Sequence, residues 1–226
     1  MELKNIVPWG RSFQEYREIF SLSDDDLNKK ILGCGDGPAA FNAELTAQGG
    51  NIISVDPTYR FDTAALRGRI AEVYDEVIPQ LHANKEKYLW KHFASVEELG
   101  KVRMEAMETF LTDYTAGKED GRYVQASLPE LPFKDQQFGL ALCSHYLFLY
   151  SEHVDLGQHL MAMEELCRVA REVRVYPLIT LNGELSPHLQ AVMATLTDSA
   201  LTTSLIGVDY QFQKGATEML VVKSTS

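Results

Sequence analysis

Residues 29–56 constrain the fold of this chain more than any other stretch. A short apolar run, Ile31 and Leu32, leads into a glycine loop, Gly33-Cys34-Gly35-Asp36-Gly37, after which Pro38 opens a helix through about Ala47. Beyond Gly49 and Gly50 the run Ile52, Ile53, Ser54, Val55 predicts a second strand, ended by Asp56-Pro57. Strand, helix and strand in that order form a βαβ unit. Parallel strands of this kind carry helices on both sheet faces, which agrees with apolar runs lacking strict alternation. The chain is therefore expected to be α/β.

The same pattern returns later. Strands are expected at Tyr123–Gln125, Phe138–Cys143 and Glu172–Tyr176, with a helix from about Leu156 to Ala170 and another opened by Ser186-Pro187. Val208–Gln213 and Thr217–Val222 flank Lys214-Gly215-Ala216, a hairpin spacing. The 66 residues between Asp56 and Tyr123 exceed the dozen or so that a crossover needs. Within them Leu66, Ile70, Val73, Val77 and Leu81 form one helical stripe, and Leu99, Val102, Ala106, Phe110 and Tyr114 another. Pro79 is expected to kink or end the first helix. These features predict one domain over residues 1–226 with a helical insertion at 63–117, acting as a lid or as a dimer interface. Phe13, Tyr16, Ile19 and Phe20 predict a further short helix, preceded by a Pro-Trp-Gly-Arg-Ser turn at 8–12. Asp24, Asp25 and Asp26 fit a solvated helix start better than a metal ligand set.

Composition narrows the partners. With 32 acidic against 21 basic residues the net charge is −11, which repels phosphate backbones and anionic lipid, so neither nucleic acid nor a membrane is expected. Cys34, Cys143 and Cys167 show no metal-ligand spacing and cannot all pair within the chain. No metal is expected, and a reducing, cytoplasmic location fits a chain with no signal-peptide pattern and no apolar run of about 18 residues. The chain is expected to be a monomer or homodimer.

The glycine loop places backbone amides at the carboxyl edge of a parallel sheet, where a ligand can approach closely. Asp56 ends the next strand 19 residues after Gly37 and can accept hydrogen bonds from both hydroxyls of a ribose. Three ligand chemistries compete. A phosphate-binding Walker loop requires Gly-Lys-Ser/Thr, which is missing. The dinucleotide pattern Gly-x-Gly-x-x-Gly/Ala is broken by Pro38. An adenosine carrying no phosphate remains, with a tight turn at the glycines and an Asp-Pro turn at Asp56 as the purely structural alternatives.

These residues resemble the class I S-adenosylmethionine-dependent methyltransferases. Ile31-Leu-Gly-Cys-Gly-Asp-Gly resembles the family's first motif, Ile52-Ile-Ser-Val-Asp56 its second-strand acid, and Ala126-Ser-Leu-Pro-Glu-Leu-Pro-Phe its Leu-Pro-Phe segment before the fourth strand. The resemblance spans about two-thirds of the chain and leaves out most of 63–117. It implies a Rossmann-like, mostly parallel seven-stranded sheet with a C-terminal antiparallel hairpin, and S-adenosylmethionine as cofactor. By position Gly33, Cys34, Gly35 and Gly37 would line the methionine and ribose, Asp56 the ribose, Pro57 the adenine face, and Ser127 with Leu128 the adenine edge. Ser144 and His145 would face the methyl group, while Arg11 and Tyr16 would cover the site, Arg11 holding the methionine carboxylate. The chain departs from the family where Ile31 replaces an acid near the methionine ammonium, where Ser127 replaces Asp, and where Phe138-Gly139 replaces Phe-Asp.

The implied reaction is in-line methyl transfer to a small-molecule acceptor. The leaving group is already activated, so the protein chiefly aligns the nucleophile and excludes water. His145 is the candidate base, since imidazole titrates near neutrality, with capping or packing as its structural alternative. Tyr146, Phe148 and Tyr150, together with Tyr88, Trp90 and Phe93, are candidate walls for an apolar acceptor. A non-catalytic nucleoside-binding or scaffolding protein of the same fold is the competing function, and a nicotinamide-dependent oxidoreductase a third.

Overall fold

The computed structural model describes residues 9–224. In chain order its elements are α1 (Phe13–Ile19), α2 (Asp24–Leu27), β1 (Lys30–Cys34), α3 (Phe41–Ala47), β2 (Asn51–Val55), α4 (Thr63–Ala83), α5 (Val96–Glu119), β3 (Tyr123–Val124), β4 (Leu140–Ser144), α6 (Leu156–Val169), β5 (Glu172–Tyr176), α7 (Leu189–Asp198), β6 (Leu201–Gly207) and β7 (Glu218–Ser224). The strands form one seven-stranded sheet in the order β3-β2-β1-β4-β5-β7-β6. β1 to β5 run parallel, and β7 inserts antiparallel between β5 and β6. This is the Rossmann-like sheet with a reversed terminal hairpin that the sequence implied.

Successive side chains of the central strands serve opposite layers, as strand geometry requires. Leu140 and Leu142 of β4 pack with Phe13, Phe20 and Phe41 of the α1 and α3 side, whereas Ala141 and Cys143 pack with Met163, Leu166 and Val192 of α6 and α7. Both faces are covered, and that is why β1 and β4 read as continuous apolar runs.

Residues 63–117 contain two long helices whose buried positions match the expected stripes except at Val102, which is only half-buried. Leu66, Ile70, Val73, Val77 and Leu81 are the buried residues of α4. α5 packs against α3 and β3 and supports α4. Its Phe110 and Tyr114 join Tyr59 and Tyr123 in an aromatic cluster, and the Tyr114 hydroxyl donates to the carbonyls of Tyr59 and Phe61 at 2.8 and 2.9 Å.

Four local expectations are corrected. Pro79 lies inside α4, which continues to Ala83; the residue is exposed, so water can satisfy the carbonyl its missing N–H leaves free. α3 begins at Phe41, since residues 38–40 extend the loop and the Ala40 amide bonds the Arg11 carbonyl at 3.0 Å. The first arm of the hairpin is β6 at 201–207, and Val208–Gln213 belongs to the loop. Asp26, unlike exposed Asp24 and Asp25, is buried against Arg174 of β5 and Lys29. Residues 1–8, with Pro8 of the expected turn, lie outside the described region.

Because Phe110 is fully buried among aromatic neighbours, Phe110→Ala should destabilise the protein by about 3–5 kcal/mol. Urea denaturation with an unchanged m-value is the check.

Candidate functional site

The carboxyl ends of β1, β2 and β4 border a cavity of about 240 Å³. Ten of the residues singled out from sequence line it: Arg11, Tyr16, Cys34, Gly35, Gly37, Asp56, Pro57, Ser127, Ser144 and His145. Gly33 and Leu128 do not. Gly33 serves the cavity indirectly, because a Cβ there would lie 1.8 Å from the Asp36 carboxylate. Leu128 packs against the hydrophobic core beside α6. Gly35 adopts a φ of +70°, and a Cβ on it would press on the Tyr146 ring, so this turn accepts glycine and little else.

Asp56 both shapes and lines this cavity. Its Oδ2 accepts from the Gly37 amide at 3.0 Å, and its Oδ1 from the Thr58 amide and hydroxyl at 2.8 and 2.5 Å. It thereby caps the short 3-10 turn Pro57–Arg60. The Asp-Pro turn and the cavity wall are one feature. Burial raises the Asp56 pKa.

Asp36 was not singled out from sequence, where an acid between glycines reads as a turn residue. In the fold it lines the cavity, receiving hydrogen bonds from Tyr16 Oη at 2.8 Å and Ser54 Oγ at 2.6 Å. Both donors are neutral. Burial consequently dominates and raises its pKa to about 6, with Asp56 adding a like charge. Trp9, Thr58 and Tyr146 are further lining residues that the sequence reading did not assign here.

A second cavity of about 100 Å³ adjoins the first, sharing Trp9, Arg11 and His145 with it. Of the expected acceptor walls, Tyr88 and Tyr150 line this cavity, Tyr146 lines the first, and Phe148, Trp90 and Phe93 are packed in hydrophobic clusters. The link after α4 joins the β6–β7 loop above it: the Leu89 amide bonds the Phe212 carbonyl at 2.7 Å, the Lys214 amide bonds the Lys87 carbonyl at 3.0 Å, and Tyr88 stacks on Phe212.

His145 stands where the cavities meet. Its φ of +53° is the left-handed region, a strained conformation that histidine tolerates better than most residues. Its amide bonds the Tyr176 carbonyl at 2.7 Å and its Nδ1 lies 2.9 Å from Ser144 Oγ. Burial, with Arg11 and Arg103 nearby, drives its pKa well below the usual imidazole value, so the ring is neutral at physiological pH. With Nδ1 turned to Ser144, the Nε2 atom is the one left for a ligand.

The Arg11 guanidinium has a single hydrogen-bond partner among the described residues, the Trp9 carbonyl at 3.1 Å. Arg103 of α5 is buried in an ion pair with Glu15 of α1, whose other oxygen accepts from Tyr210 Oη at 2.7 Å. Arg103 was missed by the sequence reading, although it sits on the same helical stripe as Leu99, Ala106 and Phe110. Among the described residues no group of three or more His, Cys, Asp or Glu is gathered as for a metal ion.

Strand order, reversed hairpin and a cavity at the carboxyl edge beside the glycine loop define a class I S-adenosylmethionine-dependent methyltransferase fold. The chain belongs to the same family as the uncharacterized protein MJ0045 of Methanocaldococcus jannaschii, to which it is 31% identical over 224 residues, 99% of this chain and 98% of that protein. No protein-family model matches. Solved structures that align include magnesium protoporphyrin IX methyltransferase of Synechocystis PCC 6803 with bound SAH, at 13% identity and TM-score 0.49 over 94% of this chain and 83% of the other. Another is the PH0226 protein of Pyrococcus horikoshii OT3, at 12% identity and TM-score 0.49 over 94% and 91%. At such identities these alignments carry no inference about substrate.

Asp36 generates a pH prediction. Its folded pKa of about 6 exceeds the unfolded value near 3.9, so its contribution to stability is present below the unfolded value and lost as pH rises through 6. Asp36→Asn, which stays neutral, should therefore be more stable than the wild type by about 2–3 kcal/mol at pH 8. That gain should shrink as pH falls toward 4, as read by denaturation at several pH values.

Proposed function

We propose that the protein is an S-adenosylmethionine-dependent methyltransferase acting on a small molecule. The observation that carries this reading is the cavity at the carboxyl edge, with two buried carboxylates, Asp36 and Asp56, that form no ion pair among the described residues. The donor set fits the cofactor. Asp56 keeps acceptor capacity toward ribose hydroxyls beyond its bonds to Gly37 and Thr58. Asp36 answers the absence of an acid at Ile31: a methionine ammonium beside it would relieve the burial that raises its pKa. Pro57 and Ser127 border the region for the base.

When bound, the cofactor supplies an activated methyl group on a sulfonium. The chain's own work is alignment, exclusion of water and, for an acceptor that keeps its proton, acceptance of that proton at His145 Nε2. A neutral, buried imidazole is in the right form for this. Its depressed pKa makes it a weak base, suited to taking a proton only as the nucleophile forms its bond.

The lid expected over 63–117 divides by its contacts. α5 is anchored to α3, β3 and Glu15, whereas α4 and the link through residue 94 roof the second cavity. In this reading closure is confined to the roof. Hydrogen exchange should show cofactor-dependent protection across 66–94, independent of protein concentration, with α5 protected throughout. Protection that follows concentration and ignores cofactor would make the segment an interface.

Asp56→Ala should weaken S-adenosylmethionine and S-adenosylhomocysteine equally, by about 1.5–3 kcal/mol, as measured by calorimetry. Equal affinity in the mutant removes the ribose assignment. Binding of both without turnover of any acceptor would favour the nucleoside-binding alternative.

A further inference from the structure

The second cavity carries information about the acceptor, given the cofactor reading above. At about 100 Å³ it is small: a single water needs roughly 10–15 Å³, so the space suits a molecule of about ten non-hydrogen atoms. Trp9, Tyr88, Tyr176 and Phe212 give it flat apolar walls. Such walls fit a planar body, with a few polar groups left to fix orientation.

Those polar groups are unbalanced. Arg11 and Arg103 both line the cavity, and Glu15 is the carboxylate between them. Its oxygens are already engaged: Oε2 with Arg103, the Ser12 amide and the Ser12 hydroxyl, and Oε1 with Tyr210. Arg103 is thus paired with Glu15, whereas Arg11 forms no ion pair among the described residues. The Nε atoms of both arginines are buried without a hydrogen-bond partner among the described residues. Burial and the charge of Arg103 lower the Arg11 pKa to about 10, so the guanidinium is short of negative charge where it stands. Arg11 lines both cavities, whereas Arg103 lines only the second.

We infer that the methyl acceptor is a small planar carboxylate, its anionic group held at Arg11 and Arg103, its body between the aromatic walls and its nucleophile turned toward His145. A guanidinium fork matches a carboxylate in two parallel hydrogen bonds, and such charge-assisted pairs are the strong ones. A bound carboxylate would also give Arg11 the ion-pair partner it otherwise does not have among the described residues.

The test is calorimetry on the full chain saturated with S-adenosylhomocysteine, titrated with benzoate and with benzamide, which match in size and differ in charge. Benzoate should bind at least tenfold more tightly. Arg11→Gln should erase that preference, with Arg11→Lys keeping part of it. Equal binding of the two probes, or binding of neither, overturns the inference. So does an Arg11→Gln variant that loses affinity for S-adenosylhomocysteine but not for 5′-methylthioadenosine, which lacks the carboxylate, since Arg11 would then hold the methionine tail. Failure of the wild type to bind S-adenosylhomocysteine would instead count against the cofactor reading. The benzoate preference, measured without it, would then judge the second cavity separately.

Discussion

Three distant parts of the chain meet at the carboxylate of Glu15, and both cavities take their shape from that meeting. α1 supplies Glu15, α5 supplies Arg103, and the β6–β7 loop supplies Tyr210. A lone buried carboxylate is strongly unfavourable. Here Arg103, with Arg11 and the Ser12 amide, holds it ionised, its pKa lowered to about 2 against the opposing effect of burial. Removing Arg103 would leave uncompensated charge in the interior, and removing Tyr210 would cost the carboxylate a hydrogen bond. The three segments are therefore coupled, although no two are adjacent in sequence or in the sheet.

Asp36 shows the opposite outcome for the same functional group. Its partners are hydroxyls, which satisfy its lone pairs without offering charge. One carboxylate is pushed down by a guanidinium and the other up by burial. A buried acid poised near neutrality, beside a cavity, is the kind of group found where a ligand completes the electrostatics.

Much of the sheet was legible because its signals are local. The glycine loop, Asp56 and β5 each declare themselves within a dozen residues, and the α4 stripe within sixteen. β6 was not, because Leu201-Thr-Thr-Ser-Leu-Ile-Gly is an edge strand without clean alternation, while the strictly alternating Val208–Gln213 is needed over the second cavity. The start of α3 was misread because Pro38 suits a first helical turn but sits against Gly10, where the loop has not yet closed. For the candidate site, the glycine loop and Asp56 were read from the βαβ pattern, whereas Ser127, Ser144 and His145 came from the family resemblance and Arg11 and Tyr16 from their place near the N-terminus. Asp36 was not singled out, since its distinction lies in Tyr16 and Ser54, brought to it from α1 and β2. Arg103 was readable in principle: an arginine in register with Leu99, Ala106 and Phe110 implies a buried countercharge. Only the fold says that the countercharge is Glu15.

The two cavities draw on different lengths of the chain. Every residue lining the first lies between Trp9 and Tyr146, whereas the second also needs Tyr176 and the loop from Tyr210 to Ala216. A polypeptide emerging from the ribosome thus contains all the walls of the first cavity 64 residues before Tyr210 is made. The last walls of the second arrive later, from the same loop whose Tyr210 completes the Glu15 cluster. Ribosomal synthesis accordingly exposes the glycine-loop side of the molecule before the enclosing aromatic side exists.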